Sequence, residues 1–150
     1  MKTEIIRPPL MSRPDELARR VARPDEVFWQ GAVAQHWQTV IRARGLGLSD
    51  IEAHKRARQI LVVTSLRLII LRGESPEIVS VPLEEIAEAR VVPAKRLKFW
   101  RKDFAMVELS LHQPATMSSG TAAWMMPTPM ALGIVELLLE NQKALGLGFH

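Results

Sequence analysis

Cysteine is absent from this chain of 150 residues. Its absence rules out disulfides, thiolate nucleophiles and cysteine-ligated zinc, and it fits a reducing compartment. The sequence also lacks an uninterrupted apolar run of about 20 residues, which a membrane-spanning helix requires. Residues 1–10 carry charges and two prolines where a signal peptide has an apolar stretch. We therefore expect a cytoplasmic protein that does not cross a membrane.

Signatures of catalysis are missing as well. Residues 45–50 begin like a dinucleotide-binding loop but lack its third glycine, and there is no P-loop or nucleophile elbow. Glu84 and Glu85 are adjacent, so on a strand they would point to opposite faces. The histidines are scattered without metal-ligand spacing: His36, His54, His112 and His150. We expect a chain that is not an enzyme and holds no cofactor or metal.

The composition is that of an ordinary globular domain. Apolar residues make up 47% of the chain and charged residues 24%, which argues against disorder. The formal net charge is +4 and the pI is near 10.0. A basic excess of this size favours an anionic partner only weakly, because it acts first on solubility and association rates.

The first third of the chain has helical features. A capping serine, a proline and an acid predict a helix over residues 14–21. Ser49 and Glu52 form a capping box, which predicts a helix over residues 50–58. Residues 27–29 would also suit a strand. One apolar stripe falls close to helical spacing and predicts a helix between these two: Trp29, Val33, Trp37, Val40 and Ile41.

Residues beyond 60 show strand patterns closed by one helix. Residues 60–63 and 66–71 are apolar runs around a short polar turn, as in a hairpin. Residues 104–111 alternate at period two and form the clearest strand. Further strands are predicted over residues 78–81, 89–92 and 121–126. Thr128 and Pro129 then predict the start of an amphipathic helix over 130–145, which Gly146 ends.

Part of this pattern resembles a known family. Residues 61–70 resemble the first hairpin of bacterial pleckstrin-homology-like (PH-like) domains, with a threonine, a short turn and an arginine-leucine pair between apolar strands. The resemblance continues through Gly73, residues 78–83 and Ile86, and the lead-in at residues 24–29 is also similar. About thirty residues between the lead-in and the first strand are more than the family pattern predicts.

The resemblance implies an α+β fold. This fold is a bent antiparallel β-barrel or sandwich, capped by a C-terminal α-helix and here preceded by an N-terminal helical extension. We expect residues 1–58 to form an arm and helices that pack on the domain. Residues 59–148 would form the barrel and its helix, and the two parts would make one folded unit. The turn at Thr64–Arg67 is short and carries one cation, so the resemblance implies no phosphoinositide head-group site there.

Two sets of residues are candidate binding sites. One is a basic-aromatic loop with five cations: Lys95, Arg96, Lys98, Phe99, Trp100, Arg101 and Lys102. It suits an anionic membrane surface, a protein partner or nucleic-acid phosphates, while the simplest interpretation is a solvated loop. The other is the stripe of Trp29, Val33 and Trp37, which is either core or an interface. Arg67 is predicted to pair with a carboxylate.

These features favour a non-catalytic binding or adaptor domain. We expect it to act through protein–protein contact, with homo-oligomerisation as one form of that contact. The alternative is peripheral binding to anionic lipid through residues 95–102, at the inner face of the membrane. Nucleic acid is the least favoured of the three partners.

Overall fold

The computed structural model describes residues 4–6, 23–72, 78–93, 103–112 and 121–147. This part of the chain contains one antiparallel sheet of eight strands, two short helices and one long helix. The strands are β1 (Glu4–Ile6), β2 (Phe28–His36), β3 (Arg58–Thr64), β4 (Arg67–Arg72), β5 (Ile78–Pro82), β6 (Ile86–Pro93), β7 (Phe104–Leu111) and β8 (Thr121–Pro127). The helices are α1 (Trp37–Gly45), α2 (Asp50–Arg56) and α3 (Thr128–Ala144).

The sheet runs in the order β1-β5-β4-β3-β2-β8-β7-β6. Most of β2 pairs with β3, while its last two residues pair with β8 through Gln35↔Met125 and His36↔Trp124. The largest core cluster takes side chains from both halves of the sheet and from α3. The two halves therefore face one another across this core, and the helix caps it. The expected α+β fold, a bent antiparallel barrel or sandwich closed by a C-terminal helix, is confirmed.

Period-two alternation builds the core. On β3, Leu61 and Val63 are buried in the main cluster, and on β7 Val107 and Leu109 occupy the same cluster. Alternate residues of a strand point to one face, so a strand with every second residue apolar buries that face against its neighbours. Helix α3 contributes its own buried stripe to this cluster: Ala131, Ile134, Val135 and Leu138.

The predicted helix across residues 29–41 is wrong in its first half. Residues 28–36 form β2, inside the sheet, where Ala32 and Ala34 are buried and Val33 between them is exposed. Hydrogen bonding to β3 and β8 outweighs the approximate helical spacing of the larger apolar residues. The alternative prediction of a strand at residues 27–29 is the better one.

The helices α1 and α2 are an insertion between β2 and β3. The expected N-terminal helical extension therefore lies, in this part, inside the sheet connection and does not precede the sheet. The insertion has its own small core of Val40, Ala43, Ala53 and Ala57. Its base is closed by the His36 N–H, which donates to the Ala57 carbonyl. The predicted helix at residues 14–21 lies outside the described residues.

Of the two helix caps predicted from the sequence, at Ser49 and Thr128, only the first is confirmed. Ser49 caps α2 by accepting from the Glu52 N–H at 3.3 Å, as predicted, although α2 ends at Arg56. Thr128 makes no cap, because its hydroxyl donates instead to the Asp103 carbonyl. Residues 83–85 form a 3₁₀ turn between β5 and β6, so Glu84 and Glu85 do not lie on a strand.

Candidate functional site

The three predicted interface residues lie on different surfaces. Trp29 sits at a bulge near the start of β2 and contacts α3. Val33 lies on the opposite face of the sheet, because it pairs with Ile60 and its neighbours Ala32 and Ala34 point into the core. Trp37 begins α1 and packs between two small clusters. The helical stripe that joined them does not exist, since residues 28–36 form a strand.

Trp29 is exposed and yet fixed. Its side chain is 54% exposed, and its Nε1–H donates to Oδ1 of Asn141 at 3.1 Å. The amide of Asn141 is itself held, because Nδ2 donates to the Leu137 carbonyl at 2.7 Å on the same helix. A tryptophan whose ring is exposed to solvent and whose N–H is hydrogen-bonded combines a large apolar area with a defined orientation.

Two other exposed apolar residues lie beside this tryptophan in the fold. The Leu145 N–H donates to the Asn141 carbonyl, so Leu145 is one helical turn beyond the residue that holds the indole. Val27 lies two residues before Trp29, and it exchanges hydrogen bonds with Ser65 at the β3–β4 turn. We call Val27, Trp29 and Leu145 the Trp29 surface. All three are exposed large apolar residues.

A buried ion pair anchors the segment that leads into this surface. Arg67 Nη2 and Nε each lie 2.8 Å from a carboxylate oxygen of Glu26, which also accepts from Thr64 Oγ1 at 2.7 Å. Arg67 Nη1 donates to Ser80 Oγ. Both charged side chains are almost completely buried. Arg67 pairs with a carboxylate as predicted, but in the interior and not at the surface.

The pKa of Glu26 lies below its ordinary value. Burial alone would raise it, but hydrogen bonds from Arg67, Thr64 and the Arg23 N–H, together with the charge of Arg67, hold it down. Glu26 is therefore ionised near neutral pH and fully engaged in the fold. This pair positions the neighbouring Val27, and its role is structural.

The insertion carries the second notable charge group. Residues 37–56 contain four cations and two carboxylates, and Arg44 pairs with Asp50 at 2.8 Å. The insertion connects β2 to β3, which pair with each other, and residues 64–67 connect β3 to β4. The predicted hairpin at residues 61–70 is present as β3 and β4, but it follows the β2–β3 pairing and is therefore the second antiparallel connection of the described barrel strands.

His36 lies at the base of the insertion and is neutral. Its Nδ1 is 2.7 Å from Thr39 Oγ1, and its ring centroid is 5.6 Å from that of Trp124. Burial, and then the charges of Arg72 and Arg42, lower the pKa of His36 to about 4. A histidine with this pKa is neutral and a weak base at neutral pH.

The predicted basic-aromatic loop, residues 95–102, lies outside the described residues. Within the described ranges, no group of three histidine or acidic side chains is placed to hold a metal ion. In the same part of the chain, no helix has the length and apolar character needed to cross a membrane. Sequence reasoning missed Asn141, whose only signal is a polar residue on an otherwise apolar helix stripe.

The arrangement of strands and helix matches a solved structure. The chain superposes on the hSac2 domain from human phosphoinositide phosphatase Sac2 with a TM-score of 0.56, 14% identity, and 87% of this chain and 79% of that chain covered. The fold is PH-like. A second superposition, on the Vps36 N-terminal PH domain, has a TM-score of 0.48 and 17% identity, covering 80% of this chain and 84% of that one. No family model matches the sequence, and a search of curated proteins returns no match.

Proposed function

We propose that the chain is a non-catalytic, PH-like binding domain of the bacterial type, which works in the cytoplasm through contact with another protein. The observation that carries this proposal is the exposed but hydrogen-bonded Trp29. Tryptophan is enriched among the residues that dominate binding energy at protein interfaces. Self-association is the simplest form of such contact, with two copies of the Trp29 surface meeting.

The fixed orientation of the Trp29 indole favours binding to a partner. The hydrogen bond to Asn141 fixes the indole before any partner arrives, so less side-chain entropy is lost on association. Val27 and Leu145 add two further exposed apolar side chains to this surface. Burial of this area against a partner supplies the driving force, at roughly 25 cal/mol per Å² of apolar surface.

Light scattering coupled to size-exclusion chromatography tests the proposal. We expect the wild type to form a defined oligomer that Trp29→Glu converts to monomer. The matched control is Val33→Glu, which places the same charge on an exposed residue of the same strand but on the opposite face. Circular dichroism checks that all three chains are folded.

If the wild type is a monomer, the proposed partner is a different protein. In that case, affinity capture compares the wild type with Trp29→Glu and Val33→Glu. A partner held by the wild type and the control but lost from Trp29→Glu supports the proposal. Equal behaviour of Trp29→Glu and the wild type in both assays contradicts it.

A second candidate function is peripheral attachment to anionic lipid through residues 95–102. Its support is the sequence: five cations and two aromatics in eight residues, with no acid among them. Each cation near an anionic membrane surface contributes about 1 kcal/mol, and the aromatic rings suit the headgroup region. Charge reversal at Lys95, Lys98 and Arg101 is expected to abolish vesicle binding and to leave oligomerisation through Trp29 intact.

A further inference from the structure

The two ends of the described sheet are built differently. At one end, β6 carries the exposed charged residues Glu88 and Arg90. Charged residues on an edge strand protect it from pairing with another chain. At the other end lies β1, and beneath it β5, a strand of five residues without a charge. We call the side of β5 that pairs with β1 the β5 edge. Its composition is that of an interior strand, and within the described sheet β1 is the strand that makes it one.

Strand β5 is a preformed acceptor for a paired strand. All five of its residues are buried. Val79 and Val81 belong to the main core, and Ile78 belongs to a second cluster with Ile69 and Leu71 on the opposite face of the sheet. Strand β5 also pairs along its whole length with β4. These contacts hold β5 in place when β1 leaves, and its edge then presents a row of backbone N–H and C=O groups that are free to pair.

Strand β1 is held by much less. It is three residues long. Pro8 and Pro9 follow it closely in the sequence, and proline has no N–H to donate to a neighbouring strand. Short segments with few backbone hydrogen bonds are among the first parts of a fold to open. Strand β1 can therefore leave β5 while the rest of the domain stays folded. It makes three pairs with β5: Glu4↔Ser80, Ile5↔Val79 and Ile6↔Ile78.

The connection from β1 to the next described residue is long. Sixteen residues, 7–22, separate Ile6 from Arg23. A chain of this length can span up to about 55 Å. A domain of 150 residues has a radius of gyration of only about 15 Å. A strand on such a tether can reach the β5 edge of a neighbouring copy as well as its own.

We propose that β1 is exchanged between copies of this chain, so that Glu4–Ile6 of one copy pairs with residues 78–80 of another. Each copy then gives one strand and accepts one, and two copies that do so reciprocally form a closed dimer with two-fold symmetry. The same residue pairs form within one chain and between chains, so no new complementarity is required. The β5 edge is separate from the Trp29 surface, which is formed by the start of β2 and the end of α3.

Mass action decides between pairing within one chain and pairing between two. A tether of this length gives β1 an effective concentration on the order of 1 mM at its own β5 edge. Exchange between free copies should become substantial as the protein approaches that concentration. At lower concentrations it needs a second contact that holds two copies together, and the self-association proposed through Trp29 would supply one. The extent of exchange at low concentration thus rests on the proposed function, whereas its geometry does not.

Disulfide trapping between two single-cysteine chains tests the exchange. Because the sequence has no cysteine, Ile5→Cys and Val79→Cys each carry one thiol, and the two positions are paired in the register. Equal amounts of the two variants are mixed at concentrations from about 0.01 mM to about 1 mM and oxidised. We expect a disulfide-linked heterodimer whose yield rises at least about fivefold over this range. The matched control replaces Val79→Cys by Val91→Cys, at a partly buried valine of β6, and should give background yield.

Light scattering coupled to size-exclusion chromatography at high protein concentration gives a readout without cysteines. Ile5→Pro/Ile6→Pro removes two backbone N–H groups from β1 and should abolish the exchanged dimer. Ile5→Val/Ile6→Val keeps the N–H groups and the β-branched side chains, and it should behave like the wild type. Circular dichroism checks that the proline variant remains folded.

Two results would overturn the exchange. One is a heterodimer yield with Val79→Cys that does not exceed the yield with Val91→Cys at about 1 mM. The other is an Ile5→Pro/Ile6→Pro chain that is folded and as oligomeric as the wild type at that concentration. Trp29→Glu separates this inference from the proposed function. Trapping at about 1 mM that persists in the Trp29→Glu background supports the exchange, even where Trp29→Glu leaves the oligomeric state at low concentration unchanged and so contradicts the proposed function.

Discussion

Replacing Glu26 by glutamine is expected to destabilise the whole domain. The change keeps the size of the side chain but removes the charge that balances Arg67, whose guanidinium is almost completely buried. Glutamine can accept at one oxygen only, so one of the two 2.8 Å contacts with the guanidinium loses its acceptor. The uncompensated cation then lies between Ser80 and the start of β2, where water does not reach it.

The size of the effect follows from the burial of this pair. Removing one partner of a buried ion pair typically costs 3–5 kcal/mol, and the remaining hydrogen bonds of Arg67 place this case at about 3 kcal/mol. For a domain of this length, each 1 kcal/mol lowers the melting temperature by roughly 2–4 °C, so we expect a loss of about 10 °C.

Urea unfolding followed by circular dichroism measures this loss. The double variant Glu26→Gln/Arg67→Met tests the cause, because it removes the stranded cation as well. It should be more stable than Glu26→Gln alone, since a buried pair replaced by apolar groups is often close to neutral. A loss below about 1 kcal/mol for Glu26→Gln would refute the reasoning, because that is the range of exposed pairs. So would a double variant less stable than the single one.

Acid titration provides a second test of the Glu26–Arg67 ion pair. The pKa of Glu26 is lower in the folded chain than its ordinary value of 4.5. A group with a depressed folded pKa stabilises the fold above the unfolded pKa and loses that contribution as the pH falls through the folded value. The wild type should therefore lose stability below about pH 4.5 through this group. Glu26→Gln should lack that part of the acid dependence.

Further predictions concern stability at three places. Gln142→Glu should cost about 2–3 kcal/mol in urea unfolding, because Nε2 donates to the Leu83 and Ile86 carbonyls and a carboxylate cannot; a change within about 0.5 kcal/mol would contradict this. Since the pKa of His36 falls to about 4, unfolding free energy should decline by up to about 3 kcal/mol from pH 6.5 to pH 4, and His36→Asn should remove that slope. A chain that begins at residue 59 should be unfolded by circular dichroism, because it lacks the central strand β2.

The sequence is most informative beyond residue 60. There β7 shows period-two alternation, and the other strands are short apolar runs bounded by turn residues, so they can be recognised without any knowledge of their partners. Leu109 and Leu111 on β7, for example, are both predicted and observed in the core. The C-terminal helix is equally clear, because its apolar stripe runs over four turns. These two features predict strands closed by a helix, and the resemblance of residues 61–70 and 78–83 to the family implied the PH-like arrangement.

Strand β2 shows why the first part of the chain is harder to predict. Its inward positions are Ala32 and Ala34, whose small side chains give a weak period-two signal. Trp29, Val33 and Trp37 follow one another at intervals of four residues, a spacing that is typical of one face of a helix. The strand exists because β3 and β8 supply its hydrogen bonds, and β8 lies almost ninety residues further along the chain. Local pattern cannot contain that information.

The candidate surfaces were also only partly accessible to sequence reasoning. The pairing of Arg67 with a carboxylate could be predicted, but Glu26 as the partner could not, because 41 residues separate them. Trp29 could be named as an interface residue, while its fixation by Asn141 depends on α3 folding back across the start of β2. The pairing of β1 with β5 had no visible signal, because three residues are too few to show the period of a strand.

Trp29 and His36 lie near opposite ends of β2, since His36 is the last residue of the strand and the insertion follows it. At roughly 3.3 Å per residue, the strand separates the two by about 20 Å. The contact proposed at Trp29 and the titration of His36 should therefore be independent of each other. We expect Trp29→Glu to remove the protein contact and to leave the pH dependence of stability that His36 causes unchanged, which urea unfolding at pH 6.5 and pH 4 would measure.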